Sequence, residues 1–174
     1  MVMIIADLLK RYHAVEYGDF TLASGAKSQY YIDIKSAVTH PELLSAIAEF
    51  VVENYTFDVI AGVAVGGVPL AVAISLAGNK PYAIIRAAEK GHGKKDIIIG
   101  EVAGKDVLLV EDVTTSGGSA LYGITTLRTA GAHADRVVTV VDREQGAGPI
   151  LREHRVELIA LVSASEILKK ANTL

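Results

Sequence analysis

Residues 107–120 read VLLVEDVTTSGGSA. Four aliphatic residues, two acids and a hexapeptide of hydroxyls and glycines spell a buried strand, a tight loop and the first turn of a helix. The loop is Thr114-Thr115-Ser116-Gly117-Gly118-Ser119. It offers backbone N–H groups that nothing bulky screens, hydroxyl donors, and a helix N-terminus behind them, which together favour a bound anion. A Walker A loop is excluded because no Gly-Lys-Ser/Thr ending is present, and a dinucleotide fingerprint because GxGxxG is missing. Glu111 and Asp112 narrow the choice of anion. Carboxylates beside a phosphate repel it unless they face something else: a ribose offers vicinal hydroxyl donors, and a metal-bearing pyrophosphate offers a cation. An acid pair at a strand end is also a common solvated loop start, but followed by this loop and helix it suits a sugar phosphate with free hydroxyls.

The chain is organised around this unit. On its N-terminal side, apolar runs at 59–65 and 82–85 predict strands flanking a helix at 69–77 opened by Pro69. On its C-terminal side, a helix at 120–130 closed by Gly131 leads to strands at 137–141 and 156–162, then a last helix from about Ser165 to Ala171. Short apolar runs separated by helices predict right-handed crossovers and an α/β fold, a mostly parallel sheet with helices on both faces. Ahead of it, Ile4, Ile5, Leu8, Leu9 and Tyr12 predict a first helix ending near Gly18, and residues 30–34 a strand. Thr39 and Glu42 form a capping box with Pro41 in the first turn, starting a helix whose apolar face is Leu43, Leu44, Ile47, Phe50 and Val51. Residues 87–96, AAEKGHGKKD, are too polar to bury and too glycine-rich for a helix, and 97–99 can return as a strand. They read as a flap over the carboxyl edge of the sheet, where open α/β sheets hold ligands.

Composition bounds the chemistry. At 174 residues the chain suits one domain over 1–174, and 51% hydrophobic against 21% charged residues excludes a disordered chain. Net charge is 17 − 20 = −3, which argues against a nucleic-acid partner. The absence of cysteine removes disulfides, thiolate catalysis and cysteine-ligated metals. Residues 59–78 carry no charge and are long enough to span a bilayer, but Gly66-Gly67-Val68-Pro69 divides them into a β-branched half and an Ala/Leu half. A buried strand, a glycine turn and a helix account for them better than a membrane span. No signal peptide is expected either, since the first apolar run stops at Ala6. His13, His40, His133 and His154 show no metal-ligand spacing and suit surface or cap positions. Tyr30 and Tyr31 alternate faces, so one of them belongs to the core, and Glu144 either orients Arg143 or has no role.

Five stretches together carry a family resemblance: residues 18–35 (GDFTLASGAKSQYYIDIK), 63–71 (VAVGGVPLA), 84–93 (IIRAAEKGHG), 110–120 (VEDVTTSGGSA) and 141–147 (VDREQGA). The chain resembles the type I phosphoribosyltransferases. Arg86, Lys90 and His92, with VDRE and FTLASG, resemble the orotate-using branch in a compact form rather than the purine-using ones. That resemblance implies a type I phosphoribosyltransferase-like fold with a small hood from 1–35 plus C-terminal contributions, and a flexible flap at 87–100. The implied reaction is transfer of the 5-phosphoribosyl group from phosphoribosyl pyrophosphate (PRPP) to N1 of orotate. The products are orotidine 5′-monophosphate and pyrophosphate, a step of pyrimidine biosynthesis in the cytoplasm. Mg²⁺ would be carried by the pyrophosphate, with no dedicated protein metal ligands, and the enzyme would be a homodimer.

The family's roles fall on this sequence as follows. Thr114, Thr115, Ser116, Gly117, Gly118 and Ser119, with Val113, would hold the 5-phosphate end of PRPP, and Glu111 and Asp112 the ribose 2- and 3-hydroxyls. Arg86, Lys90 and His92 would contact the pyrophosphate and, with Asp112, form the catalytic set. Lys90 and His92 would reach from the flap into the neighbouring subunit's site. Thr115 and Arg143 would bind orotate, with Ser24, Gly25 and Tyr31 lining its pocket, and Val65-Gly66-Gly67 would form the pyrophosphate loop. Many relatives have lysines where this chain has Ala23, Gly66 and Ala87, with Lys27, Lys35, Lys94 and Lys95 as the unassigned candidates to replace them. A phosphoribosyltransferase for another base and a non-catalytic PRPP-sensing regulator are the competing expectations.

Overall fold

The computed structural model describes residues 2–21, 27–87 and 97–169. In chain order the elements are α1 (Val2–Arg11), β1 (Val15–Thr21), β2 (Lys27–Ile32), α2 (Ile34–Ala37), α3 (Pro41–Asn54), β3 (Val59–Val63), α4 (Gly67–Gly78) and β4 (Tyr82–Ile85). They continue with β5 (Ile98–Ile99), β6 (Asp106–Thr114), α5 (Gly118–Thr129), β7 (His133–Asp142), α6 (Ala147–Glu153), β8 (Glu157–Ser163) and α7 (Ala164–Lys169). Six strands form one sheet in the order β5-β4-β3-β6-β7-β8, parallel throughout except for β5, which runs antiparallel on the edge of β4. β1 and β2 make a separate antiparallel hairpin.

Period-two alternation divides the core. On β6, Leu108 and Val110 face α1, α3 and α4, while Val107 and Leu109 face α5 and α6. The same alternation holds on β3, with Ile60 on the first side and Val59, Ala61 and Val63 on the second. A strand buried on both faces needs no polar residues, which is why these runs are continuously aliphatic. α4 starts hard against the sheet: a Cβ at Gly62 would stand 2.3 Å from the Gly67 carbonyl oxygen, and one at Gly67 2.7 Å from that of Val110. Residues 59–78 are therefore strand, turn and helix, and among the described residues no helix is long and apolar enough to cross a membrane.

Several local expectations are corrected. The first helix ends at Arg11 rather than near Gly18, because His13 turns left-handed (φ +53°) and Ala14 N–H bonds back to the Leu9 carbonyl. Residues 15–21 pair with β2 instead, and most of them are exposed, so no apolar period betrays the strand. The strand expected at 30–34 stops at Ile32. Asp33 accepts from Ser36 N (3.1 Å) and Oγ (2.6 Å) and caps α2. The Thr39–Glu42 capping box does not form. His40 occupies the N-cap, Thr39 Oγ1 donates to the Ser36 carbonyl, and Glu42 turns to Arg11 (3.0 Å) and the Tyr12 hydroxyl. β6 continues past its aliphatic run through both acids to Thr114, since β7 pairs with it that far. α6 has only Ala147 and Leu151 buried, too few for a periodic signal. Of the expected flap at 87–100, residues 88–96 lie outside the described set, and Ile98–Ile99 is fixed to the sheet as β5.

Candidate active site

From β3 the chain crosses to β4 on one side, and from β6 to β7 on the other, so the strand order reverses between β3 and β6. Carboxyl ends of parallel strands part at such a point and leave a crevice. The two loops that border it are residues 64–66 after β3, which include a cis Ala64–Val65 peptide, and residues 115–117 after β6. Val65 is exposed there, and its neighbour Gly66 backs onto Asp112.

Successive strand residues point to opposite faces, which separates the two acids. Glu111 faces α5: its Oε1 accepts from Ser119 Oγ at 2.7 Å, and it is 4% exposed. Burial, reinforced by the charge of Asp112 and offset by the Ser119 bond, lifts its pKa to about 7. Asp112 faces the other way, onto the backbone of Gly66. A Cβ there would lie 2.4 Å from the Asp112 carboxyl carbon. Lys35 Nζ stands 3.0 Å from Asp112 Oδ2. That oxygen is buried, and the ammonium is the charged group that meets it. The Asp112 carboxylate in turn raises the Lys35 pKa.

Beyond the acids the loop prepares a helix N-terminus. Gly117 sits at φ +83° as N-cap of α5, with no side chain capping the helix, and a Cβ there would press on Ala147 at 3.2 Å. Thr115 and Ser116 are exposed on the loop. The other two hydroxyls are engaged within the protein: Ser119 on Glu111, and Thr114 Oγ1 on Asp142 Oδ1 at 3.1 Å.

The ends of β7 and β2 supply a second wall. Arg143 N–H donates to the Thr114 carbonyl (2.9 Å), and its guanidinium carbon lies 5.9 Å from the ring centre of Tyr30, a cation–π contact. Arg143 Nε is buried without a hydrogen-bond partner, a donor left for a planar anion. Glu144, at φ +57°, fixes this loop: its carboxylate accepts from Ser165 N (2.9 Å) and Oγ (3.1 Å) at the start of α7, and its N–H donates to Asp142. Tyr31 projects from the opposite face of β2, 44% exposed and packed on Phe20. Arg86, at the end of β4, is exposed at the crevice rim, and its carbonyl accepts from the Tyr122 hydroxyl at 2.8 Å.

Thus Arg86, Glu111, Asp112, residues 113–119 and Arg143 all lie at strand ends or in the loops that follow them along the carboxyl edge. Ser24, Gly25, Lys90 and His92, with Ala23, Lys94 and Lys95, lie outside the described residues. Lys27 is tied to Thr21 at 2.7 Å in the hairpin. Sequence reasoning passed over Tyr30 as a neighbour of Arg143. The alternation of Tyr30 and Tyr31 was legible, but which of them faces the site depends on how the hairpin docks. Among the described residues no three His, Cys, Asp or Glu converge on a metal position. The nearest hard oxygen donors, Glu111 and Asp112, are engaged by Ser119 and Lys35. This donor set fits a Mg²⁺ that takes most of its ligands from substrate and water.

Known proteins resemble this chain over most of its length. Residues 36–160 match the phosphoribosyl transferase domain. The orotate phosphoribosyltransferase of Methanocorpusculum labreanum is 64% identical over 168 residues, covering 97% of this chain and 99% of that protein. The chain belongs to the orotate phosphoribosyltransferase family. The relative from Methanoculleus marisnigri is 60% identical over the same shares of both chains. Among solved structures, the orotate phosphoribosyltransferase of Aeropyrum pernix superposes with a TM-score of 0.84 at 31% identity, covering 97% of this chain and 98% of that one. The type I architecture expected for an orotate phosphoribosyltransferase is therefore the architecture found, and the chain is a pentosyltransferase.

Proposed function

We propose that this chain moves the 5-phosphoribosyl group from PRPP to N1 of orotate with Mg²⁺, releasing pyrophosphate, and that it does so as a homodimer. The observation that carries the proposal is the three-part crevice: an uncapped helix N-terminus, two carboxylates turned to opposite faces, and a half-buried arginine whose Nε has no hydrogen-bond partner. Each part suits one piece of the substrates.

The N–H groups at the start of α5, with Thr115 and Ser116, receive the 5-phosphate. Glu111 and Asp112 accept from the ribose hydroxyls. Arg143 faces the anionic side of orotate and is held by Tyr30 and by the Glu144–Ser165 clamp, with Thr115, Ser24, Gly25 and Tyr31 completing the base pocket. Arg86 lies toward the pyrophosphate. Lys90 and His92 approach it from the flap of the neighbouring subunit, and residues 1–35 form the hood of the single domain.

Breaking the anomeric C–O bond builds positive charge on the sugar and negative charge on the leaving pyrophosphate, as in glycoside cleavage. No protein nucleophile is required. The protein's task is to fix the sugar, exclude water, and place cations where the leaving group gains charge. Mg²⁺, when bound to the pyrophosphate, supplies charge neutralisation there.

The test is the loss of orotate absorbance with PRPP and Mg²⁺, with uracil, hypoxanthine and adenine in parallel. Magnesium-dependent loss of orotate alone is expected. Turnover of another base instead would move the specificity, and tight PRPP binding with silence for every base would favour a sensor.

A further inference from the structure

The crevice needs a cation beside the anomeric carbon, and its own loop cannot supply one. At position 66 the backbone is in contact with the Asp112 carboxyl, so that any side chain there meets it within 2.4 Å. Arg86 stands at the end of β4, across β3 from the acids. The described lysine that reaches the spot comes from the other side, from α2, where Asp33 caps the helix through Ser36 and fixes its start. Lys35 Nζ is 3.0 Å from Asp112 Oδ2, yet the lysine side chain is 62% exposed while that of Asp112 is 7% exposed. An ammonium carries three donors, and one carboxylate oxygen engages at most one of them at this distance. The exposure of the lysine leaves the others accessible to a ligand. The 2-hydroxyl stands on the carbon next to C1 and the 3-hydroxyl one carbon further, so a cation in contact with a carboxylate that holds either is within reach of the group leaving C1.

We propose that Lys35 is a substrate-binding cation of the pyrophosphate subsite, resting on Asp112 in the free protein and donating to the phosphate attached at C1 when PRPP binds. The proposal rests on the placement of PRPP argued above. It gives the exposed ammonium a role that a purely structural ion pair would not need, since a half-open pair of this kind adds little to stability.

Calorimetric titration of the full chain with PRPP, pyrophosphate and ribose 5-phosphate, each with Mg²⁺, tests it. In Lys35→Met, PRPP and pyrophosphate should each bind about ten- to a hundredfold more weakly, the loss typical of one charge-assisted hydrogen bond. Ribose 5-phosphate, which lacks the leaving group, should change less than about threefold, and Lys35→Arg should recover most of the loss. An equal loss for ribose 5-phosphate would overturn the proposal, because Lys35 would then act only through Asp112; no change for any ligand would overturn it too. Lys35→Gln, read in the same titrations, serves if the methionine variant does not fold. Wild-type protein that binds none of the three ligands would refute the placement of PRPP itself, whereas wild-type binding with unchanged variants refutes Lys35 alone.

Discussion

Replacing Glu111 with glutamine should stabilise the free protein and remove a proton from the binding reaction. Its pKa is lifted from 4.5 to about 7, chiefly by burial. The folded protein therefore holds this proton more tightly than the unfolded chain, and ionising it works against the fold. The cost is absent below pH 4.5, grows between 4.5 and about 7, and is constant above. At ~1.4 kcal/mol per pH unit it reaches about 3 kcal/mol as an upper bound. Glu111→Gln keeps an oxygen for Ser119 and lacks the charge, so its melting temperature should exceed wild type by on the order of 5–10 °C at pH 8 and converge with it near pH 4.5. Binding runs the other way. Ribose hydroxyls donate best to an ionised acceptor, so PRPP should expel the proton: about half a proton per site at pH 7, with affinity falling about tenfold per pH unit below that. Phosphate groups of PRPP themselves titrate near pH ~6, so the quantity to measure is the difference between wild type and variant in two buffers of unlike ionisation heat. Equal proton release in both proteins, with parallel melting curves from pH 5 to 8, would refute the assignment of a protonated Glu111.

Gly66→Ala probes the Asp112 contact: the backbone there is ordinary helical (φ −63°, ψ −37°), so the cost comes from the Cβ pressing on the buried carboxyl, about 1–3 kcal/mol of stability, while PRPP affinity falls about tenfold or more as the carboxyl is displaced. Unchanged affinity by calorimetry would show that Asp112 does not need its present position. Arg143→Ala should raise the KM for orotate by about tenfold or more with that for PRPP nearly constant, and an unchanged orotate KM in steady-state kinetics would remove the guanidinium from the base pocket. Mixing inactive Lys90→Ala with inactive Asp112→Asn protein should restore on the order of a quarter of wild-type activity through hybrid sites if the flap serves the neighbouring subunit. No recovery after demonstrated subunit exchange would place each site within one chain.

What the sequence made legible is what burial on two faces makes redundant. The strand at 107–110 is aliphatic without interruption, and its position follows from the chain alone. The hairpin β1–β2 was half missed for the opposite reason. Its outer strand has a mostly exposed pattern, and its stability comes from pairing with β2 and docking rather than from its own side chains. The Thr39–Glu42 box failed by competition, since Glu42 has within reach the Arg11 guanidinium at the end of α1 and the Tyr12 phenol just after it, and two such partners outweigh one backbone N–H.

At the site the limit is of another kind. Residue types announced the chemistry, because phosphate, vicinal hydroxyls and a planar anion each require particular donors and acceptors. Pairings between distant residues were not announced. Lys35 and Asp112 are far apart in sequence, and nothing local in YYIDIK distinguishes a lysine aimed at the crevice from one in solvent. What decides it is that strand alternation sends Asp112 to the α4 side, Gly66 leaves it room, and α2 starts beneath that spot. A glycine in a loop that handles polyanions reads in isolation as a missing cation. Beside Asp112 it is the space that lets a carboxylate and a lysine from another element meet, so the cation found at this spot comes from α2 rather than from position 66.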